Sequence, residues 1–248
     1  IDETPFSTPA GRVVIDWSKE TDTNLLNHTS RPVYDKRYNN IDISNTSSEV
    51  TFIGTTGQVF TNFRMFICSF ADGQDLTLRF VNFNFVTNES RAIGLYDDKG
   101  VDLTIDVVGT CSIESSVTGS ILGYSDLPIK TVTFTGNGTM TMNAGNGSNG
   151  TSAGAAGTDG GIAIYAETLV MNMSGTLNVT GGAGGNGVSG SNGSKGSPSY
   201  NGHSDRNATG GGANGGNGTD GTNGGNAGKG GYAYDVSTLI VNSGTLTA

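Results

Sequence analysis

The sequence has no run of eighteen apolar residues and no amphipathic stretch of period 3.6, so neither a membrane-spanning helix nor a helical bundle is expected. It has little positive charge. Thirteen Lys+Arg stand against 22 Asp+Glu, a net charge of −9. Nucleic acid and anionic membrane are poor partners for such a chain, because both need a basic footprint. Cation binding, neutral glycans and simple solubility are all compatible with an acidic surface. Histidine is nearly absent: His28 and His203 stand far apart, neither with a metal-like partner. The two cysteines, Cys68 and Cys111, do not fix the compartment. The opening IDETPFSTPAG has no basic n-region and no apolar h-region, so no signal peptide is expected within this sequence. Proline is scarce, and only Pro198 falls in the glycine-rich tracts, where collagen would need many.

What is present is glycine, 41 residues of it, concentrated after Gly136, together with short β-branched and aromatic runs that alternate with polar residues. These runs recur in threes. AIGLYD, VDLTIDV and GTCSIES (92–115) are followed by SILGYSD, KTVTFTG and GTMTMNA. GIAIYA, TLVMN and GTLNVT (161–180) come next, and GYAYDV, STLIVN and GTLTA close the chain. Taking Val50, Leu76, Leu103, Val132, Leu169 and Leu239 as anchors of the middle strand gives spacings of 26, 27, 29, 37 and 70. The near-constant early spacing is that of one coil of a three-stranded solenoid, and the longer ones are the same coil with insertions. Both insertions, 144–160 and 181–230, fall between the third strand of one coil and the first of the next.

These features predict an all-β parallel β-helix of about six coils, each coil burying its inward side chains only by stacking on its neighbours. A β-sandwich is the competing architecture. Alternation puts Leu103/Ile105, Val132/Phe134, Leu169/Met171 and Leu239/Val241 inside, with Cys111/Ile113, Met140/Met142, Leu177/Val179 and Leu246. Cys68 falls inward in the same register, so free thiols and a Cys68–Cys111 bridge both stay open. The glycine before each third strand (Gly109, Gly138, Gly175, Gly244) suits a corner with positive φ. Residues 1–40 read as an N-terminal strand and cap, with Trp17, Leu25, Leu26, Val33 and Tyr34 as cover, and 41–248 as the β-helix. The chain stops inside a trio, which leaves self-association through an uncapped last coil as an option.

Glycine recurs at every third residue in the tracts, as at Gly154/157/160, Gly184/187/190/193/196 and Gly212/215/218/221/224. A floppy linker has no need of that phase. A bundle of polyproline II helices does, since three residues per turn give one bare edge for close backbone approach. Pro198–Asn207 would then form a reversal or exposed tip.

The segment AIYAETLVMNMSGTLNVTGGAGGNG resembles those of bacterial extracellular parallel β-helix proteins with a carbohydrate-binding domain, which often carry G-G-N-G insertions. The resemblance covers roughly 50–248 and is structural in kind. It implies a right-handed parallel β-helix at the cell surface, glycan binding and sometimes bound calcium. The glycine tracts separately resemble the polyproline II bundles of springtail antifreeze proteins and of some phage adhesin tips.

Candidate sites follow from position. Tyr96, Tyr124, Tyr165 and Tyr232 recur on the first strands and would form a sugar-stacking ladder if they face outward. Asp97, Asp98 and Asp102 would form a calcium cluster, with Asp106 near enough to join, although an acidic turn is also at home simply solvated. The outward Thr110, Thr139, Thr141, Thr176, Thr245 and Thr247 make a ladder of the kind ice-binding proteins use, interrupted by Ser112 and Asn178. Catalysis has less to draw on: the paired carboxylates of a glycosidase are missing, and a calcium-dependent polysaccharide lyase would need Arg79 or Arg91 as base, with Lys99 a weaker option. The expectation is a non-enzymatic extracellular or cell-surface module that binds a polysaccharide or cell-surface glycan, or mediates adhesion. Ice binding and the lyase are the alternatives. Eleven N-x-S/T triplets, among them those at Asn27, Asn88, Asn137, Asn178 and Asn217, are mostly what an Asn-, Ser- and Thr-rich chain produces by chance.

Overall fold

The computed structural model describes residues 6–24, 40–68, 70–71, 73–95, 100–123, 129–196, 217 and 219–248. Among them there is no helix, and so none long and apolar enough to cross a membrane. Sixteen strands belong to one curled sheet. In chain order they begin with β1 (Phe6–Ser7), β2 (Gly11–Asp16), β3 (Asn40–Ser44), β4 (Ser47–Ile53) and β5 (Val59–Thr61). Then come β6 (Arg64–Cys68), β7 (Asp75–Val81), β8 (Asn84–Thr87), β9 (Arg91–Leu95), β10 (Asp102–Val108) and β11 (Thr110–Ser115). The last are β12 (Ser120–Leu122), β13 (Ile129–Gly136), β14 (Thr139–Asn143), β15 (Ile164–Thr180) and β16 (Tyr234–Thr247).

Every pairing among these strands is parallel. The pairs sort into three columns. Column one stacks β1, β3, β6, β9 and β12; column two stacks β2, β4, β7, β10 and β13; column three stacks β5, β8, β11 and β14. The long strands β15 and β16 run through all three. From β3 onward the chain visits the columns in strict rotation, which is the threefold recurrence seen in the sequence. Leu76, Leu103, Val132, Leu169 and Leu239 stand in one register row. Val50 does not join it, because its partner is Leu78, two residues beyond Leu76. A slip of two keeps every side chain on its face, so alternation alone cannot detect it.

The N-terminal region is more than a cap. β1 pairs with β3, β2 pairs with β4, and Asn24 bridges Thr61, so residues before 41 add a level to the sheet. Trp17 does cover this end, half-buried against Phe52, Phe60, Phe63 and Phe83 at centroid distances of 5.2–6.5 Å. Leu25, Leu26, Val33 and Tyr34 lie outside the described residues. The core changes character along the stack. Phe52, Phe60, Phe63, Phe80, Phe83 and Phe85 fill the early levels, whereas Met140, Met142, Leu177 and Val179 fill the later ones in column three.

The corner glycines have two different physical origins. Gly109 and Gly244 do adopt positive φ, +72° and +95°. Gly138 and Gly175 do not; glycine is needed there because a Cβ would collide with the carbonyl oxygen of the level below, Gly109 and Gly138 respectively. One level earlier Asn82 takes the left-handed corner at φ 46°, and its Oδ1 accepts from the Thr110 amide at 3.2 Å.

The glycine tracts occupy the expected corner, and their backbones are tied together at every third residue. Ala144, Gly147 and Gly150 donate to the carbonyls of Thr180, Ala183 and Asn186 at 2.7–2.9 Å. Gly182, Gly185 and Val188 donate to Gly161, Thr158 and Ala155. Thr222, Gly225, Gly228 and Gly231 donate in turn to Ser191, Val188, Gly185 and Gly182 at 2.7–3.0 Å. Residues 144–150 thus run parallel to 181–193, while 154–161 and 219–231 run antiparallel to it.

Candidate functional site

The polar surface of column two is set by alternation. In β10 Leu103, Ile105 and Val107 are buried, which leaves Asp102, Thr104 and Asp106 outward. Arg79 of β7 stands beside Asp106 in register, and the two form an ion pair at 2.7 Å with side chains 44% and 19% exposed. Thr135, the next residue in that row, donates its hydroxyl to Asp106 Oδ1 at 3.2 Å. Where column two turns into column three, short polar residues precede the corner glycines: Asn137 before Gly138, Ser174 before Gly175 and Ser243 before Gly244. Together with Asn172 these groups line an open groove of about 530 Å³ that crosses several levels of the stack. Asn242 extends the amide row by donating to Asn172 Oδ1 at 2.7 Å. Gly136 keeps the floor low, since a Cβ there would collide with the Val107 carbonyl and come within 2.8 Å of Asp106 Oδ1.

Threonine rows flank this groove on both sides. On column three Thr110, Thr139, Thr176 and Thr245 are in register, and Ser112, Thr141, Asn178 and Thr247 form the parallel row. Thr110, Thr245 and Thr247 are exposed, and Thr139, Thr141 and Thr176 are half-buried. Column two adds Thr131, Thr168 and Thr238, a row the sequence reading did not single out. It also adds Thr77, Thr104 and Thr133, a row that continues into Val170 and Ile240.

The tyrosines do not assemble as expected. Tyr96 and Tyr124 lie outside the described residues. Tyr165 is half-buried, and its neighbour in β16 is Asp235; it is Tyr234 that shares a register row with Ile164. Tyr232 is 66% exposed, outside β16 and out of line with Tyr165. Tyr165 and Tyr232 are therefore three positions out of register, which a match of the YA motif does not reveal.

Of the calcium residues, Asp97 and Asp98 lie outside the described residues. Asp102 neighbours Asp75 in register, and its Oδ1 is buried with no hydrogen-bond partner. Asp106 belongs to the Arg79 pair instead. No group of three or more potential metal-ligating side chains occurs among the described residues. Lys99, His28, His203 and the Pro198–Asn207 tip also lie outside the described residues. Cys68 and Cys111 are not bridged to each other. Cys111 is buried as expected, but Cys68 is half-buried on the outward side of β6, where Met65 and Ile67 hold the inner positions.

No family model, curated protein or solved structure matches this chain.

The groove residues Asn137, Ser174 and Ser243 were missed because they sit at corners, where strand alternation gives no direction. The available signal was their fixed place immediately before the recurring glycine.

Proposed function

We propose that this chain is a right-handed parallel β-helix flanked by a bundle of polyproline II helices, and that it binds carbohydrate without catalysis at an extracellular or cell surface. The rotation of the strands through three parallel columns supports the β-helix, and parallel crossovers are right-handed in nearly all known cases. The hydrogen-bond step of three residues in the glycine tracts equals the three residues per turn of polyproline II.

The observation that carries the carbohydrate reading is the groove at the corner of columns two and three. It offers an ion pair, amides and hydroxyls in rows that repeat with the stacking distance of about 4.8 Å. Such a surface exchanges hydrogen bonds with successive hydroxyls of an extended glycan. Among the described residues its lining holds no aromatic side chain, so affinity would rest on polar contacts and multivalent display at a surface. A glycan array of neutral and uronic-acid oligosaccharides tests the reading, with Arg79→Ala and Asn137→Ala as variants. Hydrogen bonds to charged groups contribute about 1.5–3 kcal/mol, so Arg79→Ala is expected to weaken binding about tenfold or more. Binding to no glycan, or equal binding by both variants, would remove the groove from consideration.

Ice binding is a second reading, favoured by the in-register row Thr110–Thr139–Thr176–Thr245. Thermal hysteresis of the purified protein, lost in Thr139→Val/Thr176→Val, would replace the carbohydrate reading. A lyase has less support, because the guanidinium of its candidate base Arg79 is engaged with Asp106 and arginine is not readily deprotonated.

A further inference from the structure

Nine asparagines are followed by glycine, and six of these pairs lie within the described residues, at Asn137, Asn146, Asn149, Asn186, Asn192 and Asn223. In such a pair the glycine nitrogen can attack the asparagine carboxamide, since no glycine side chain obstructs it. The fold treats the six unequally. Asn137 precedes a buried glycine, Gly138, whose N–H donates to the Val107 carbonyl at 3.0 Å. Gly147 and Gly150 donate to the carbonyls of Ala183 and Asn186 at 2.7 and 2.8 Å. The side chains before them, Asn146 and Asn149, accept from the Ala183 and Asn186 amides at 2.8 and 2.7 Å, so both reacting groups are held. After Asn186 and Asn192 a Cβ on Gly187 or Gly193 would collide with the carbonyl oxygen of Gly225 or Thr219, which leaves those peptide planes little room to turn. Asn223–Gly224 differs on every count. Both residues are exposed, and a Cβ on Gly224 would meet nothing nearer than 3.6 Å. The Asn223 carbonyl oxygen lies over Gly154, 2.9 Å from where a Cβ would stand, and trans planarity then turns the Gly224 N–H the opposite way. Neither that N–H nor the Asn223 carboxamide has a hydrogen-bond partner among the described residues. The residues on either side are pinned: Thr222 donates to Ser191 at 3.0 Å and Gly225 to Val188 at 2.9 Å.

We propose that Asn223 is a self-modification site, converting to isoaspartate through a succinimide without an enzyme. The Gly224 nitrogen gives its proton to solvent and attacks Cγ of Asn223. The N–Cγ bond forms, the Cγ–Nδ2 bond breaks, and Nδ2 takes up a proton and leaves as ammonia. Water then adds to one of the two ring carbonyls and opens that C–N bond. Opening at the main-chain carbonyl carries the chain onward through Cγ and gives isoaspartate; opening at Cγ gives aspartate. Isoaspartate inserts a methylene into the main chain between the two pinned residues and leaves a free carboxylate. The three-residue hydrogen-bond step of 219–231 cannot then be kept on both sides of position 223, so the bonds from Thr222 or those from Gly225 loosen. The change is one-way, and the tract loosens with the age of the molecule. The reaction is independent of what the groove binds.

Peptide mapping by mass spectrometry on the folded 248-residue chain, held at mildly alkaline pH and sampled over days, tests it. Asn223 should gain the mass of an amide-to-acid exchange several times faster than Asn137, Asn146 or Asn149. Fragment ions through the lengthened main chain should identify isoaspartate at position 223. In denaturant the four rates should converge, because the fold is what restrains the other three. Gly224→Ala, whose methyl crowds the attacking nitrogen and meets no neighbour in the fold, should slow the reaction several-fold. The converted fraction, separated by its added charge, should show faster amide exchange at Thr222 or Gly225. Asn223→Asp, which adds the charge without the methylene, should leave both protected. Conversion at Asn146 or Asn149 as fast as at Asn223 in the folded chain, rates that keep their order in denaturant, or aspartate without isoaspartate would each overturn the assignment. Unchanged exchange in the converted fraction would overturn the loosening.

Discussion

Asp42 points outward from β3 beside Phe66, and burial there pushes its carboxyl above the ordinary value of 3.8, with Arg64 pulling weakly the other way. One of its oxygens has no hydrogen-bond partner. A carboxyl raised on folding costs the native state once it ionises. Stability is therefore fully present below the unfolded value and is lost as pH rises through the folded one. Asp42→Asn removes that loss. The variant should match the parent near pH 3 and melt higher at pH 7, by at most a few degrees, since about 1 kcal/mol is worth about 2–4 °C in a chain of this length. A pH series of melting curves checks this, and a variant that melts lower at pH 7 than the parent contradicts it. The neighbouring strand shows where residue-level reading fails. RMFICSF is apolar at Met65, Phe66, Ile67, Cys68 and Phe70, so polarity gives no alternation, and Cys68 was assigned to the wrong face. At Cys111, flanked by Thr110 and Ser112, alternation is clean and the inward assignment holds; burial there raises the thiol.

The elements that were legible are those with strict spacing. The strand trios and the two insertion points follow from recurrence, and the glycine phase of three anticipated hydrogen bonds at every third residue. What sequence could not give is which glycine edge faces which neighbour, because that depends on contacts between segments far apart in the chain. The structure separates them. A Cβ at Gly190 would collide with the Thr222 carbonyl, whereas at Gly224 it would meet nothing within 3.5 Å, and φ at Gly224 is not left-handed. Gly190→Ala should therefore loosen the tract, with faster amide exchange at Thr222, whose N–H donates to Ser191 at 3.0 Å. Gly224→Ala should leave exchange unchanged and add up to about 0.4–1 kcal/mol through the unfolded chain. Equal effects at the two positions would mean that the runs are not packed on defined glycine edges.

On the scale of the whole molecule, the stack is quasi-one-dimensional, with each level touching mainly the levels above and below. Its groove and threonine rows arise only from that stacking, since each level contributes one or two side chains to them. This is why the threonine rows could be anticipated from register, while the tyrosine match could not hold: Tyr165 stands beside Asp235, three positions from Tyr232. The stack is also uneven, because the aromatic cluster lies at one end. Phe83 touches Trp17, Phe52, Phe60, Phe63, Phe80 and Phe85 with centroids 5.1–6.0 Å away. Phe83→Ala should cost about 3–5 kcal/mol where it acts. In a nearest-neighbour stack that cost falls on the early levels. Amide exchange of the variant is thus expected to lose protection in β4, β5, β7 and β8 first, while β13, β14 and β15 retain most of theirs. Uniform loss of protection from β4 to β15 would show that the molecule unfolds as one cooperative core, and the level-by-level account of its stability would have to be abandoned.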